Sequence, residues 1–197
     1  MNYPRIDQLG RLSAFVAPAI ASVAIFGAAL LAPEFSWRAD ALSDLGAPGA
    51  ETAWLFNGGL ICAGVLGVPF AASLASGART RFDRLTAVVL VLTLALLSGV
   101  GLFPTSHPLH LPVAAGFYLL ATLTLWLAGT ADVLVGEPRF GLAVVWLANV
   151  HLLQWLAWAA GLRLGPGLAI PELVGAALFS VWVLARGREP IRPEYDG

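Results

Sequence analysis

Long apolar runs separated by short polar segments organise this chain. A helix needs about 20 predominantly apolar residues to cross the roughly 30 Å hydrocarbon core of a bilayer. Six runs reach that length, over about 12–32, 54–76, 85–103, 111–131, 140–160 and 168–185. The pattern predicts an all-α fold, a polytopic membrane helical bundle with six transmembrane helices in one integral membrane domain over 1–197. The segments between the runs leave no room for a separate soluble domain. The first run has the basic flank of a secretory signal, Arg5 and Arg11, and an Ala-rich stretch before Pro33. It exceeds the roughly 7–15 apolar residues of a signal-peptide core, so it is expected to stay in the protein as a helix.

Composition removes the soluble alternative. Of 197 residues, 58% are hydrophobic and 12% charged, against about 45–50% and about 25% in soluble domains. A globule of this size has too much unavoidable surface to hide that excess. The net charge of -1 and the lack of a basic stripe argue against a nucleic-acid partner. Membrane lipids are the expected partners, with a homo-oligomer or a second membrane protein left open. Cys62 is the single cysteine, so no intrachain disulfide forms. Within its apolar run it is expected to be a small buried core residue.

Helix polarity follows from arginine placement, because short cytoplasmic loops carry Lys and Arg in excess. With the N-terminus inside, Arg5, Arg11, Arg79, Arg81, Arg84, Arg139, Arg186, Arg188 and Arg192 fall on the cytoplasmic side, and Arg38 and Arg163 outside. The expected topology is N-in/C-in at the cell membrane. Trp37, Trp54, Trp155 and Trp158 then mark an outer aromatic belt, and Trp126 and Trp182 an inner one. Gly59, Ala63 and Gly67 recur at four-residue spacing, which predicts a close helix contact on the second span. Pro18 and Pro69 are expected kinks whose freed carbonyls find partners on neighbouring helices.

The polar residues are then placed by depth. Asn57 lies at the outer end of helix two and Ser98 in the outer half of helix three. His107 is in the third loop and His110 opens helix four. His151 and Gln154, three residues apart, share a face of helix five, and Glu172 is near the outer end of helix six. The first external loop adds Glu34, Asp40, Ser43, Asp44 and Glu51. The inner halves hold Thr86, Thr93, Thr122 and Thr124 but hardly any ionisable group. Ionisable side chains at membrane depth are costly and usually face protein or a watery cavity. The expectation is a polar pocket open to the outer face, with Ser43, Asp44, Asn57, His110, His151 and Glu172 as candidate ligand-binding residues. The competing reading leaves Asn57, His110 and Glu172 in headgroup water. His151, the deepest, discriminates, and it is expected to face the bundle. In the first loop, Trp37, Asp40 and Asp44 at i, i+3, i+7 predict a short interfacial helix ending at Gly46, with Pro48 just beyond.

Ordered signatures also run through the chain. Ala41-Leu-Ser-Asp-Leu-Gly46 leads into Leu55-Phe-Asn-Gly-Gly59, then Gly101-Leu-Phe-Pro104, His110, Phe117, Ile170-Pro-Glu172 and Trp182. This order resembles a prokaryotic six-span membrane protein family catalogued as domain of unknown function 998, across nearly the whole chain. The resemblance implies six helices and assigns no activity. More distantly, Ser43-Asp44-x-Gly46, Pro48 and a histidine opening helix four are similar to the Frag1/DRAM/Sfk1 group. Members of that group are associated with lipid remodelling, lipid asymmetry and autophagy. That similarity implies lipid handling, with Ser43, Asp44, Asn57, His110 and Glu172 at the matching positions.

Three chemistries fit these residues. In the first, the protein binds or organises a lipid or small amphiphile. Asp44 and Glu172 accept hydrogen bonds while Asn57 and His110 orient the ligand. The second is an intramembrane lipid hydrolase or transferase. A metal-dependent form would draw on His107, His110 or His151 with Asp40, Asp44 or Glu172. However, His107-Pro-Leu-His110 is not a helical HExxH pattern. A metal-free form would pair Ser43 with His110, yet Ser43 lacks a nucleophile elbow, and Ser43-Asp44 reads first as a local turn bond. The third is a small-molecule transporter or an accessory subunit of a membrane complex, although no inverted repeat is visible. The motifs name no cofactor. A haem between His110 and His151 would require helices four and five to face each other.

Overall fold

The computed structural model describes residues 4–188. Arg192 and the Arg5 side chain, both counted in the arginine pattern, lie outside what is described. Six helices form: α1 (Pro4–Leu31), α2 (Ala53–Ser76), α3 (Arg81–Leu102), α4 (His110–Leu134), α5 (Pro138–Ala159) and α6 (Ala169–Arg188). All six are long and apolar enough to cross a membrane, and no strand occurs among the described residues. Several helices extend past their apolar runs because the backbone is capped beyond the point where hydropathy falls. At α3, Thr80 Oγ1 accepts the Asp83 amide (3.1 Å) and Asp83 Oδ2 accepts the Thr80 amide (2.7 Å). This reciprocal capping box starts the helix at Arg81 rather than at the first leucine. Pro138, already fixed at a helical φ, opens α5.

Consecutive helices pack antiparallel. Glycine and threonine contacts set the spacing, as expected where lipid offers no drive to squeeze helices together. A Cβ at Gly59 would overlap Ala24 on α1, and one at Gly64 would overlap Ser98 on α3. Thr93 and Thr124 meet at 3.2 Å between α3 and α4, each hydroxyl also reaching the carbonyl four residues back. α6 returns alongside α1 and also packs against α4 and α5. Outward faces are apolar: Leu30 is 85% exposed, Leu111 74% and Trp54 73%. Such faces are stable only against hydrocarbon.

Beside Pro69 a neighbouring helix reaches into the backbone ladder. Pro69 sits inside α2. One residue on, Ser13 of α1 inserts its hydroxyl into the α2 ladder, donating to Leu66 O and accepting the Phe70 amide (3.2 Å). A side chain spliced into the i to i−4 ladder is a known way to bend a helix without orphaning its amides.

Several expectations change. Cys62 is exposed on the lipid face of α2, where a thiol costs no more than a small apolar group. Trp182 is 1% exposed and stacks near Phe70 and Phe179 in the core rather than marking an interface. The small-residue stripe on α2 is shared between neighbours. Gly59 faces α1, Gly67 faces Leu94 on α3, and Ala63 lines a cavity between them. The interfacial helix is shorter than its spacing predicts. Only Leu42–Gly46 is helical, as one 3-10 segment, because Asp40 and Asp44 spend their carboxylates on nearby amides. The arginine end of the bundle is not free of ionisable groups at depth. Asp132 is fully buried on α4 and paired with Arg186 of α6 at 2.9 Å.

Candidate functional site

The loop joining α1 to α2 lies across one end of the bundle and is tied down from both sides. Locally, Asp40 Oδ2 accepts the Ser36 amide (2.7 Å) and Asp44 Oδ2 the Ala41 amide (2.8 Å). Toward α2, Thr52 donates to Leu45 O (2.8 Å) and Asn57 Nδ2 to Gly46 O (2.9 Å). Toward α6, the Gly167 amide donates to Arg38 O (2.9 Å), and the Leu168 and Ala169 amides donate to Asp40 O (3.0 and 2.9 Å). Glu172 completes the seam. Its Oε2 accepts the Leu42 amide at 2.6 Å in a buried bond. The Leu42 amide and the Leu45 carbonyl, whose bonds are buried, are backbone groups that this seam satisfies in place of water.

Beneath this loop lies a cavity of about 100 Å³ of free space. A single water needs roughly 10–15 Å³ by the same measure, so the space is several waters long. α1, α2, α3, α4, α6 and the 3-10 segment line it, while α5 stays outside. At the loop end stand Leu42, Ser43, Tyr118 and Glu172; below, the walls are Ala17, Ala63, Gly67, Leu94, Phe117 and Ala176, down to Ser13 and Val183. Small residues on facing helices create the space, and leucines and phenylalanines keep it apolar. From Glu172 to Val183 along α6 is about 16 Å at 1.5 Å per residue. That is about one leaflet of the roughly 30 Å hydrocarbon core.

The polar groups at the head of the cavity are few. Ser43 is 8% exposed, and its hydroxyl makes no hydrogen bond among the described residues. Glu172, also 8% exposed, commits Oε2 to Leu42 and leaves Oε1 without a protein donor. Tyr118 turns its hydroxyl to the Glu172 carbonyl (3.1 Å), fixing the first turn of α6.

The six residues singled out in the sequence do not gather in one place. Ser43 and Glu172 line the cavity. Asp44 is exposed, capping the 3-10 segment, and Asn57 holds the loop at Gly46. His110, half-buried, bonds Phe103 O through Nδ1 (2.7 Å) and closes the α3–α4 corner; it shares no hydrogen bond with Ser43. His151 is fully buried facing the bundle, as its depth requires. It lies between α4, α5 and α6 rather than on the cavity wall, with Nδ1 2.7 Å from Thr122 Oγ1. Thr122 Oγ1 also reaches Tyr118 O (3.1 Å), and Nε2 of His151 faces Gly175. Among the described residues, no group of three or more His, Cys, Asp or Glu is disposed to hold a metal ion.

Sequence reasoning missed four participants: Ser13, Tyr118, Asp132 and Asn149, which accepts the Trp126 indole hydrogen at 3.1 Å. Asp132 had a readable signal. It sits one residue past the fourth apolar run, and a carboxylate at such a depth demands a cation such as Arg186, at the same end of helix six. Tyr118 had none beyond its place in an apolar run.

Six helices long and apolar enough to cross a membrane, five of them lining this cavity, mark an integral, multi-pass membrane protein. The family model described as "Protein of unknown function (DUF998)" matches residues 15–189, and the chain belongs to that family. No curated protein and no solved structure matches the chain.

Proposed function

We propose that this protein binds a lipid or other single-chain amphiphile at the outer leaflet of the cell membrane. The upper part of the tail enters the central cavity and the head sits under the first loop, at Ser43 and Glu172. The observation that carries the reading is the cavity's polarity along its length: Ser43, Tyr118 and Glu172 stand at one end, and below them the walls are mainly apolar for about a leaflet's depth, with Ser13 and Ser180 the polar exceptions. A hydrocarbon tail gains by leaving water for such walls at about 25 cal/mol per Å². The binding reading suits the head of the cavity better than a hydrolytic one. Ser43 has no basic partner among the described residues, and hydroxyl catalysis requires a base within hydrogen-bond reach.

The test is native mass spectrometry of the purified protein with retained or added lipid, compared with Ala176→Leu and Ala63→Leu variants. Both substitutions place a branched side chain in the cavity. Loss of the retained lipid in both, with helicity unchanged, supports the proposal. Equal retention in both variants and the wild type sinks it.

A further inference from the structure

We infer that the cavity selects a head that donates hydrogen bonds and is neutral or cationic, a hydroxyl or an ammonium, and rejects an anionic head. The inference rests on the binding reading above and names its ligand class.

The head of the cavity is an acceptor site. Glu172 is more than nine-tenths buried, and one oxygen is taken by the Leu42 amide (2.6 Å). The other oxygen has no protein donor among the described residues, and neither lysine nor arginine pairs with this carboxylate. A carboxyl group has acceptor capacity at both oxygens, so the second one can take a hydrogen from a ligand. Ser43 alongside can accept a second hydrogen or donate one, so it adapts to whichever head is present. Asp44 stands beside Ser43 in the same 3-10 segment. An ammonium or hydroxyl there gains a hydrogen bond to the Glu172 oxygen that Leu42 leaves open. A carboxylate or phosphate head has no hydrogen to give that oxygen and finds no basic side chain on the cavity lining.

The cavity also limits the number of tails. It is a single narrow space between five helices, lined by small, branched and aromatic side chains, so the favoured ligand carries one chain.

The experiment compares three probes with one tail and different heads: 1-palmitoylglycerol, hexadecylamine and palmitate. Each is titrated against the full-length protein in mixed micelles at neutral pH, with binding read by native mass spectrometry and by displacement of a fluorescent single-chain probe. The two donor heads are expected to bind at least tenfold more tightly than palmitate, and their relative strength separates a hydroxyl ligand from an amine. In Glu172→Gln the amide oxygen keeps the Leu42 bond while its NH₂ replaces the free acceptor with a donor. That variant should bring palmitate level with, or above, the amine. A wild-type preference for palmitate, or a preference untouched by Glu172→Gln, overturns the inference while leaving the cavity reading standing. Failure of all three probes to bind, with no difference in Ala176→Leu, overturns both.

Discussion

Glu172 and Leu42 are 130 residues apart in sequence, yet the Glu172 carboxylate receives the Leu42 amide at 2.6 Å inside the bundle. The bond joins the first turn of α6 to the loop that covers the cavity. Removing the carboxylate without removing the amide leaves a buried donor unsatisfied, which costs about 1–3 kcal/mol. Glu172→Leu is therefore expected to lower stability by that amount and to free the Leu42 amide to exchange. Glu172→Gln retains an acceptor oxygen and should preserve protection. Hydrogen exchange at Leu42, read by mass spectrometry of proteolytic fragments, checks both. Equal protection in the Leu variant would show that this bond does not hold the loop.

The loop is also held by close backbone contact. A Cβ at Gly167 would press on Asp40 and Ala39 backbone atoms, which cannot swing aside as a flexible side chain does. Gly167→Ala is expected to break the Leu168 and Ala169 bonds to Asp40 O and to destabilise by about 2 kcal/mol, within the range of severe backbone lesions. Gly58 provides the contrast, because its Cβ position is open. Gly58→Ala lies inside α2 and should stabilise by about 0.5–1 kcal/mol through helix propensity. Thermal unfolding in detergent separates the two; matching midpoints would remove the argument.

What was legible before the structure divides along physical lines. Six spans follow from the solvent, because a bilayer enforces about 20 apolar residues per crossing regardless of tertiary detail. The burial of His151 follows in the same way, since an imidazole at depth is costly against hydrocarbon. Glu172 is visible as a carboxylate at the start of a span, but its partner is not, because Leu42 offers only a backbone amide and lies 130 residues away. The cavity was invisible for a different reason. Ala17, Ala63, Gly67 and Ala176 lie in three separate apolar runs, and only Ala63 and Gly67 belong to a visible pattern, which reads as a helix contact rather than a cavity wall. Apolar on every side, these helices carry no stripe to fix their rotation, so sequence does not say that these small residues face one another. His110 misleads for the opposite reason. It looks like a free polar group at a helix start, but the carbonyl of Phe103, seven residues back, claims it.

Topology gives a prediction independent of the site. The end of the bundle that carries Arg79, Arg81, Arg84, Arg139, Arg186 and Arg188 should face the cytoplasm by the positive-inside rule. In a Cys62→Ser background, a cysteine at exposed Ser106 should react with an impermeant maleimide on intact cells. One at exposed Ser76 should react only after permeabilisation. The reverse labelling would place the cavity head in the cytoplasmic leaflet and move the search for its lipid there.

The ion pair between Asp132 and Arg186 gives the last. Asp132 keeps 1% of its side chain exposed and Arg186 16%, at a separation of 2.9 Å. Arg186 also lies over the Phe140 ring at 5.8 Å, so one guanidinium links α4, α5 and α6. Breaking a buried pair from one side costs about 3–5 kcal/mol, because the survivor stays charged in a poor solvent. Asp132→Ala should fall near 3 kcal/mol, since the partly exposed Arg186 has a route toward the headgroups. Replacing both partners by apolar residues of similar volume, Asp132→Leu with Arg186→Met, removes the stranded charge and should recover more than half of that loss. A double-mutant cycle by unfolding in mixed micelles reads the coupling directly. If the double variant is as unstable as the sum of the two single variants, the pair carries no coupling, and helix packing alone holds this end of the bundle.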